Sequence, residues 1–168
     1  SVMGRVPALK SMTGGDEQQL GQALLGAGFG ALLAFAFAGA LVRRYGSRAI
    51  TVISGLALMA TFPLLGLAQD VWVLAAGFLA VGLTFATMDV AMNTQAVEVE
   101  RRLGRPCISS LHGMYSLGGL VGAVGAAVFA GLAPIWHFSL LALIAVAILP
   151  FFARQLFEGR PEPMEEQA

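Results

Sequence analysis

The fold is decided by residues 71–102, which read VWVLAAGFLAVGLTFATMDVAMNTQAVEVERR. A helix needs about 20 mostly apolar residues to cross the hydrocarbon core of a membrane, and the first part of this stretch meets that length. Backbone polar groups in lipid must be paired within the crossing segment, which favours a helix. The stretch is longer than a bilayer requires, so its charged end should project beyond the lipid. Gly104 follows as a C-cap glycine would.

The composition of the whole chain agrees with a membrane protein. Of the 168 residues, 57% are hydrophobic and 12% are charged, whereas a soluble domain carries roughly a quarter charged residues. Ten Lys and Arg balance ten Asp and Glu, so the chain lacks the basic character of a nucleic-acid-binding protein. We therefore expect membrane lipid as a partner and no nucleic acid.

Five apolar stretches predict an all-α, polytopic transmembrane bundle. They lie at about residues 16–42, 49–68, 71–102, 106–132 and 135–153. Residues 1–15 are predicted to be an extracytoplasmic loop, and residues 154–168 a cytoplasmic linker or tail.

The orientation of the bundle follows from the positions of the arginines, because basic residues in short loops mark the cytoplasmic side. They occur after the first, third and fifth predicted helices, at Arg43, Arg44, Arg48, Arg101, Arg102, Arg105, Arg154 and Arg160. The other two turns contain none, and Trp72 and Trp136 lie at the predicted outer boundary. This pattern predicts a multi-pass protein of the inner (plasma) membrane with a cytoplasmic C-terminus. An N-terminus outside the cell normally needs an upstream targeting element, so we expect a first helix that precedes this chain.

Polar residues inside a membrane are costly and therefore mark candidate functional positions. Asp89 and Asn93 lie four residues apart in the third predicted helix, and His112 and Ser116 have the same spacing in the fourth. Because these helices are antiparallel and joined by a short turn, Asn93 is expected at the depth of His112, and Asp89 at that of Ser116. Such a cluster could exchange protons and hydrogen-bond a polar solute.

A purely structural role remains an alternative for these polar residues. Asp89 could be a buried carboxylate that its neighbours satisfy, and His137 beside Trp136 is better explained as an interfacial residue than as a ligand. Four charged residues near the end of the third helix are expected to form local ion pairs at a solvated helix end, namely Glu98, Glu100, Arg101 and Arg102.

Small residues recur at every fourth position in two of the predicted helices. One ridge begins with Gly26 and Gly30, and the other with Gly118 and Gly122. This spacing lets helix backbones approach closely. The ridges could serve ordinary helix packing or an interface at which helices slide.

Motifs of the common enzyme classes are missing from the sequence. Lys10 is the only lysine, which excludes a phosphate loop, and the sequence has no HExxH or GxSxG motif. Cys107 is the only cysteine and can form neither an internal disulfide nor a multi-cysteine metal site. We therefore predict that the chain is not an enzyme, and we expect no metal and no other cofactor.

Residues 39–48, GALVRRYGSR, resemble the loop motif between the second and third helices of major facilitator transporters. Gly39, Leu41, Arg44, Gly46 and Arg48 match the motif, but the family's aspartate is replaced by Arg43. Residues 82–100 and 104–119 are similar to the fourth and fifth helices of the fucose-permease-like branch.

The resemblance implies that the five predicted helices are the second to sixth helices of an N-terminal transporter half. The missing first helix and a second half would then be its partners, because alternating access needs two halves around a midplane site. The expected function is gradient-driven transport of a small polar solute such as a sugar, with protons as candidate coupling ions. In this picture Gly39, Arg43, Arg44, Gly46 and Arg48 form a gating loop. The alternative is a non-transporting membrane scaffold, an accessory protein or a truncated remnant.

Overall fold

The computed structural model describes residues 3–158, which form a 3-10 turn at Met3–Arg5 and six α-helices. The helices are α1 (Val6–Thr13), α2 (Glu17–Tyr45), α3 (Ser47–Gly66), α4 (Val71–Leu103), α5 (Ile108–Val128) and α6 (Pro134–Ala153). Five of them, α2 to α6, are long and apolar enough to cross a membrane. The described residues contain no β-strand. The prediction of an all-α bundle with about five spans is confirmed.

The segment before the first span is more ordered than expected. Residues 1–15 were predicted as a loop, but Val6–Thr13 forms helix α1. Its turn into α2 is fixed by Asp16, whose carboxylate accepts a hydrogen bond from the Gln19 backbone N–H at 2.7 Å. The Gln19 side chain accepts one from the Asp16 N–H at 3.1 Å, which completes a capping box. At the other end of the chain, residues 159–168 of the predicted tail lie outside the described residues.

Helix α4 is the centre of the bundle, with α2 and α3 packed against it and α6 packed on α3. The main apolar cluster lies where α2 begins, α3 ends, and α4 and α6 begin, and α1 closes it. Its buried members are Leu9, Ala23, Leu65, Ala68, Leu74, Phe78 and Phe138. A smaller cluster of Val42, Ile50 and Ala91 lies towards the opposite end. We call that opposite end the arginine-rich end, because it carries Arg43, Arg44, Arg48, Arg101 and Arg102.

Helix α5 makes few contacts with the rest of the bundle, and most of its side chains are exposed. Its two ends are nevertheless held by charged groups. The Glu100 carboxylate accepts hydrogen bonds from the N–H groups of Cys107, at 2.6 Å, and Ile108, at 3.0 Å. Just beyond its last residue, buried Arg5 donates to the carbonyls of Phe129, at 3.2 Å, and Ala130, at 2.8 Å. An anion at the start and a cation at the end both complement the helix dipole.

Candidate functional site

Asp89 and Asn93 form a polar pair on one face of α4, which is long and apolar enough to cross a membrane. The Asn93 side-chain amide donates to the Asp89 carbonyl oxygen at 2.9 Å and to the Asp89 carboxylate at 3.3 Å. Both residues are half-buried. The pair therefore has an internal hydrogen bond and remains partly accessible from outside the bundle.

His112 and Ser116 form a second pair on α5, and both residues are exposed. The Ser116 hydroxyl donates to the His112 carbonyl oxygen at 3.1 Å. Within residues 3–158, no hydrogen bond joins this pair to Asp89 or Asn93. Helices α4 and α5 do meet one turn away, where the rings of Phe85 and Tyr115 lie 6.4 Å apart. The structure thus brings together the residues within each predicted pair but does not link the pairs by hydrogen bonds.

The loop motif is more compact than the sequence suggested. Helix α2 continues to Tyr45 and α3 begins at Ser47, so Arg43 and Arg44 lie in the last turn of α2. Gly46 alone makes the turn, with φ 85° and ψ 149°, and its N–H donates to the Val42 carbonyl at 2.8 Å. This combination of angles is essentially restricted to glycine. The glycine of the motif is therefore required by the backbone.

The arginines of the motif have different surroundings. The Arg44 guanidinium lies 5.2 Å from the centre of the Tyr45 ring, and both residues are exposed. Arg48 forms an ion pair with Glu158 at 3.3 Å. Gly39, the first residue of the motif, is half-buried and would meet only the Arg43 side chain if it carried a Cβ.

A groove opens beside this turn at the arginine-rich end. It has a volume of about 490 Å³ and is lined by Tyr45, Gly46, Arg48, Ala49, Val52, Ile53, Ala153 and Glu158. It lies between the start of α3 and the end of α6. Neither Asp89 nor Asn93 lines it, so it is not an extension of that polar site.

The two small-residue ridges have different surroundings. A Cβ on Gly26 would lie 2.6 Å from the Ala75 carbonyl oxygen of α4, and one on Gly30 would overlap the α4 backbone at Leu79. This ridge is therefore a close contact between the backbones of α2 and α4. On α5, a Cβ on Gly118 would meet nothing within 4 Å, and Gly122 is half-buried.

Three polar residues with well-defined surroundings were not singled out as site residues from the sequence. Gln95 is 5% exposed and contacts both Ser47 and Phe157. Arg5 is 3% exposed at the end of α5. His137, interpreted above as interfacial, is 2% exposed and lies between the rings of Phe129 and Phe138, at 6.0 and 5.8 Å. Gln95 could have been noticed as an amide in a membrane-spanning stretch, but its partners are remote in sequence.

Comparison with known proteins places these features in a family. The profile of the Major Facilitator Superfamily matches residues 2–168. An uncharacterized MFS-type transporter of Yersinia pestis is 36% identical over 160 residues, which are 94% of this chain and 42% of the relative. An uncharacterized transporter of Sinorhizobium fredii is 36% identical over 121 residues, which are 72% of this chain and 32% of the relative. The chain thus spans less than half of the length of these relatives. No solved structure matches it significantly. Because the family profile covers nearly all of its residues, the chain belongs to the Major Facilitator Superfamily.

Proposed function

We propose that this chain is part of the N-terminal half of a gradient-driven transporter that moves a small polar solute, such as a sugar, by alternating access. Membership of the superfamily supports transport over catalysis and over a scaffold role. Both relatives described above are named as transporters. Transporters of this family have two halves around a midplane site, so the rest of such a protein would supply the other half.

The observation that carries the proposal is the Asp89 and Asn93 pair within a membrane-spanning helix. An ionisable group at this depth is expensive, and such groups usually line a pathway for ions or substrate. Asp89 is half-buried and its nearest described hydrogen-bond partner is an amide, not a cation. Asp89 is therefore our candidate for the carboxylate that takes part in transport.

Asp89 and Asn93 would have different roles in transport. Asp89 acts as the coupling carboxylate or as the carboxylate that binds the solute. Asn93 binds Asp89 through its N–H₂ group, which leaves its carbonyl oxygen to accept a hydrogen bond from a solute hydroxyl. His112 and Ser116 on α5 act as supporting residues in this proposal.

The orientation is part of the proposal. The arginine-rich end would face the cytoplasm of a cell bounded by its inner (plasma) membrane, because basic residues are retained on that side. The exposed indoles of Trp72 and Trp136 would then lie at the outer boundary, where amphipathic rings are favoured. The C-terminus would be cytoplasmic. The turn at Gly46 would serve as part of the cytoplasmic gate.

The test is solute-induced proton movement in vesicles that contain the complete protein, screened across sugars and other small polar compounds. Asp89→Asn should abolish proton-linked uptake, because an amide cannot carry the proton. The matched control is Asp70→Asn, the same change at the residue that precedes α4. Asp70 caps the start of α4 by accepting hydrogen bonds from Trp72 and Val73, and asparagine caps equally well.

Proton-linked uptake that is lost in Asp89→Asn and kept in Asp70→Asn supports the proposal. Unchanged uptake with an unchanged pH response in Asp89→Asn would remove this carboxylate from the mechanism. Correct insertion of both variants, measured by their yield in the membrane, makes the comparison valid.

A further inference from the structure

The residues that follow α6 do not leave the bundle directly. Residues 154–158, which we call the strap, lie across the arginine-rich ends of α3 and α4. Three contacts hold them there, and the contacted residues come from two other helices. These contacts differ in strength, and their burial shows which of them matters most.

The strongest contact is made by Gln95 of α4. Its side-chain amide donates to the Phe157 carbonyl oxygen at 2.5 Å, and its side-chain oxygen accepts from the Phe157 N–H at 3.0 Å. The same amide also donates to the Ser47 hydroxyl of α3 at 2.7 Å. Gln95 and Ser47 are both buried. Release of the strap would deprive a buried amide of two partners, and such unsatisfied groups are costly.

The second contact is between Arg102 and the ring of Phe157 in the strap. The Arg102 guanidinium lies 3.7 Å from the centre of the Phe157 ring, within the range of a cation–π interaction. Arg102 is held in place by an ion pair with Glu98 at 2.5 Å. Phe157 of the strap is thus held by contacts with its backbone N–H, its carbonyl oxygen and its ring.

The third contact is the ion pair of Arg48 with Glu158. The Glu158 side chain is 86% exposed, so solvent weakens this pair and its contribution is small. It nevertheless places the strap against the loop motif, because Arg48 is a residue of that motif. The family's motif has an aspartate at the position of Arg43. The weak pair of Arg48 with Glu158 does not replace that carboxylate.

We propose that the strap is a lock that joins the arginine-rich ends of α3, α4 and α6 into one rigid unit. Gln95 is the central residue, because its amide contacts α3 and the strap at the same time. Under the helix assignment of the proposed function, in which α2 to α6 are the second to sixth helices of one half, α3 belongs to one three-helix repeat, and α4 and α6 belong to the other. The lock then keeps the two repeats together at this end while the half moves as a body. The inference rests on the proposed function for this role, but it concerns rigidity and does not depend on the solute.

The first experiment measures how often the strap is released. Trypsin is applied to the whole chain in lipid nanodiscs, and cleavage after Arg154 is followed by mass spectrometry. Cleavage of a transiently opened segment tracks the population of the open form. Gln95→Ala and Phe157→Pro should each accelerate cleavage by about tenfold, the change expected when roughly one buried hydrogen bond is lost. Phe157→Pro lies outside the helices and removes both the N–H and the ring, so it tests the strap without changing a residue of any helix.

The matched control is Thr94→Ala, next to Gln95 in the same helix. The Thr94 hydroxyl bonds only to its own helix, at the Val90 carbonyl, 3.0 Å away, among the contacts described. The cleavage rate of Thr94→Ala should stay within about twofold of the original, because this hydroxyl makes no described contact with the strap. Equal rates for Phe157→Pro and Thr94→Ala would show that the strap is not docked, and would overturn the proposal.

The second experiment tests the lock itself by hydrogen exchange at the start of α3, where Ile50 is the first amide with a backbone hydrogen bond, to the Gly46 carbonyl at 3.2 Å. Release of the strap by Phe157→Pro should speed exchange at residues 50–53 by at least about threefold, because local stability depends on packed neighbours. Faster cleavage after Arg154 with unchanged exchange in α3 would mean that the strap docks without locking, which also overturns the proposal. Both readouts are independent of transport, so a failure here is distinct from a failure of the Asp89 experiment.

Discussion

The close contact of α2 and α4 at Gly30 predicts opposite outcomes for two neighbouring substitutions. Gly30 is buried, and an added Cβ would overlap the Leu79 carbonyl oxygen and lie 2.7 Å from the Leu83 nitrogen. These neighbours belong to helix backbone, so relief requires α2 and α4 to move apart. Overpacking of this kind costs about 1–3 kcal/mol, and backbone neighbours place it towards the upper end.

Alanine also stabilises a helix relative to glycine, by roughly 0.5–1 kcal/mol. The net effect of Gly30→Ala is therefore a loss of about 1–2 kcal/mol, or a fall of about 5–30-fold in the ratio of folded to unfolded protein. Gly28→Ala is the control, because Gly28 is exposed on the same helix and has nothing within 4 Å of its Cβ position. It should gain about 0.5–1 kcal/mol.

The assay is unfolding in mixed detergent micelles, followed by tryptophan fluorescence of purified chain. Gly30→Ala should unfold at a lower denaturing-detergent fraction than the original chain, and Gly28→Ala at an equal or higher one. If both variants are as stable as the original chain, α2 and α4 are not in backbone contact at Gly30, and the reasoning from the ridge is refuted.

Three further substitutions test the turns and helix ends. Gly46→Ala should destabilise the bundle by about 1–3 kcal/mol, because alanine is strained at that φ and ψ; equal stability in the same detergent titration would contradict this. Glu100→Ala removes the acceptor at the start of α5 and should raise hydrogen exchange at Cys107 and Ile108 by about fivefold, as loss of a helix cap of about 1 kcal/mol would; Glu100→Gln should retain part of the protection. Arg5→Ala should raise proteolytic access to the end of α5, and unchanged access would show that its hydrogen bonds to the carbonyls of Phe129 and Ala130 do not hold this helix.

Much of the fold could be predicted from the sequence because lipid imposes simple requirements. A crossing helix must be long and apolar, so the positions of the five spans follow from hydropathy. The loop motif was recognisable because it is a continuous run of residues. The turn itself was misjudged: residues 43–48 were expected to connect two helices, whereas Gly46 alone does so. One glycine with an unusual φ replaces a longer loop, and hydropathy does not register that.

The candidate site could be predicted only in part. The spacing of Asp89 and Asn93 placed them on one face of a helix, and their hydrogen bond is consistent with that expectation. The expected juxtaposition with His112 and Ser116 depended on how α5 packs, and the structure shows no hydrogen bond between the pairs in the residues described. Helical periodicity fixes which residues share a face, but it does not fix the distance between two helices.

The sequence by itself determined the solvent of this protein, its number of spans and the end of the bundle that carries the arginines. These properties depend on local length, polarity and charge, and each can be read within about 20 residues. Only the tertiary structure decided that Gly26 and Gly30 contact α4, that α5 is held mainly at its ends, and that Gln95 binds Phe157, 62 residues away. Such contacts join residues that are remote in the chain, and they arise when helix faces pack against each other.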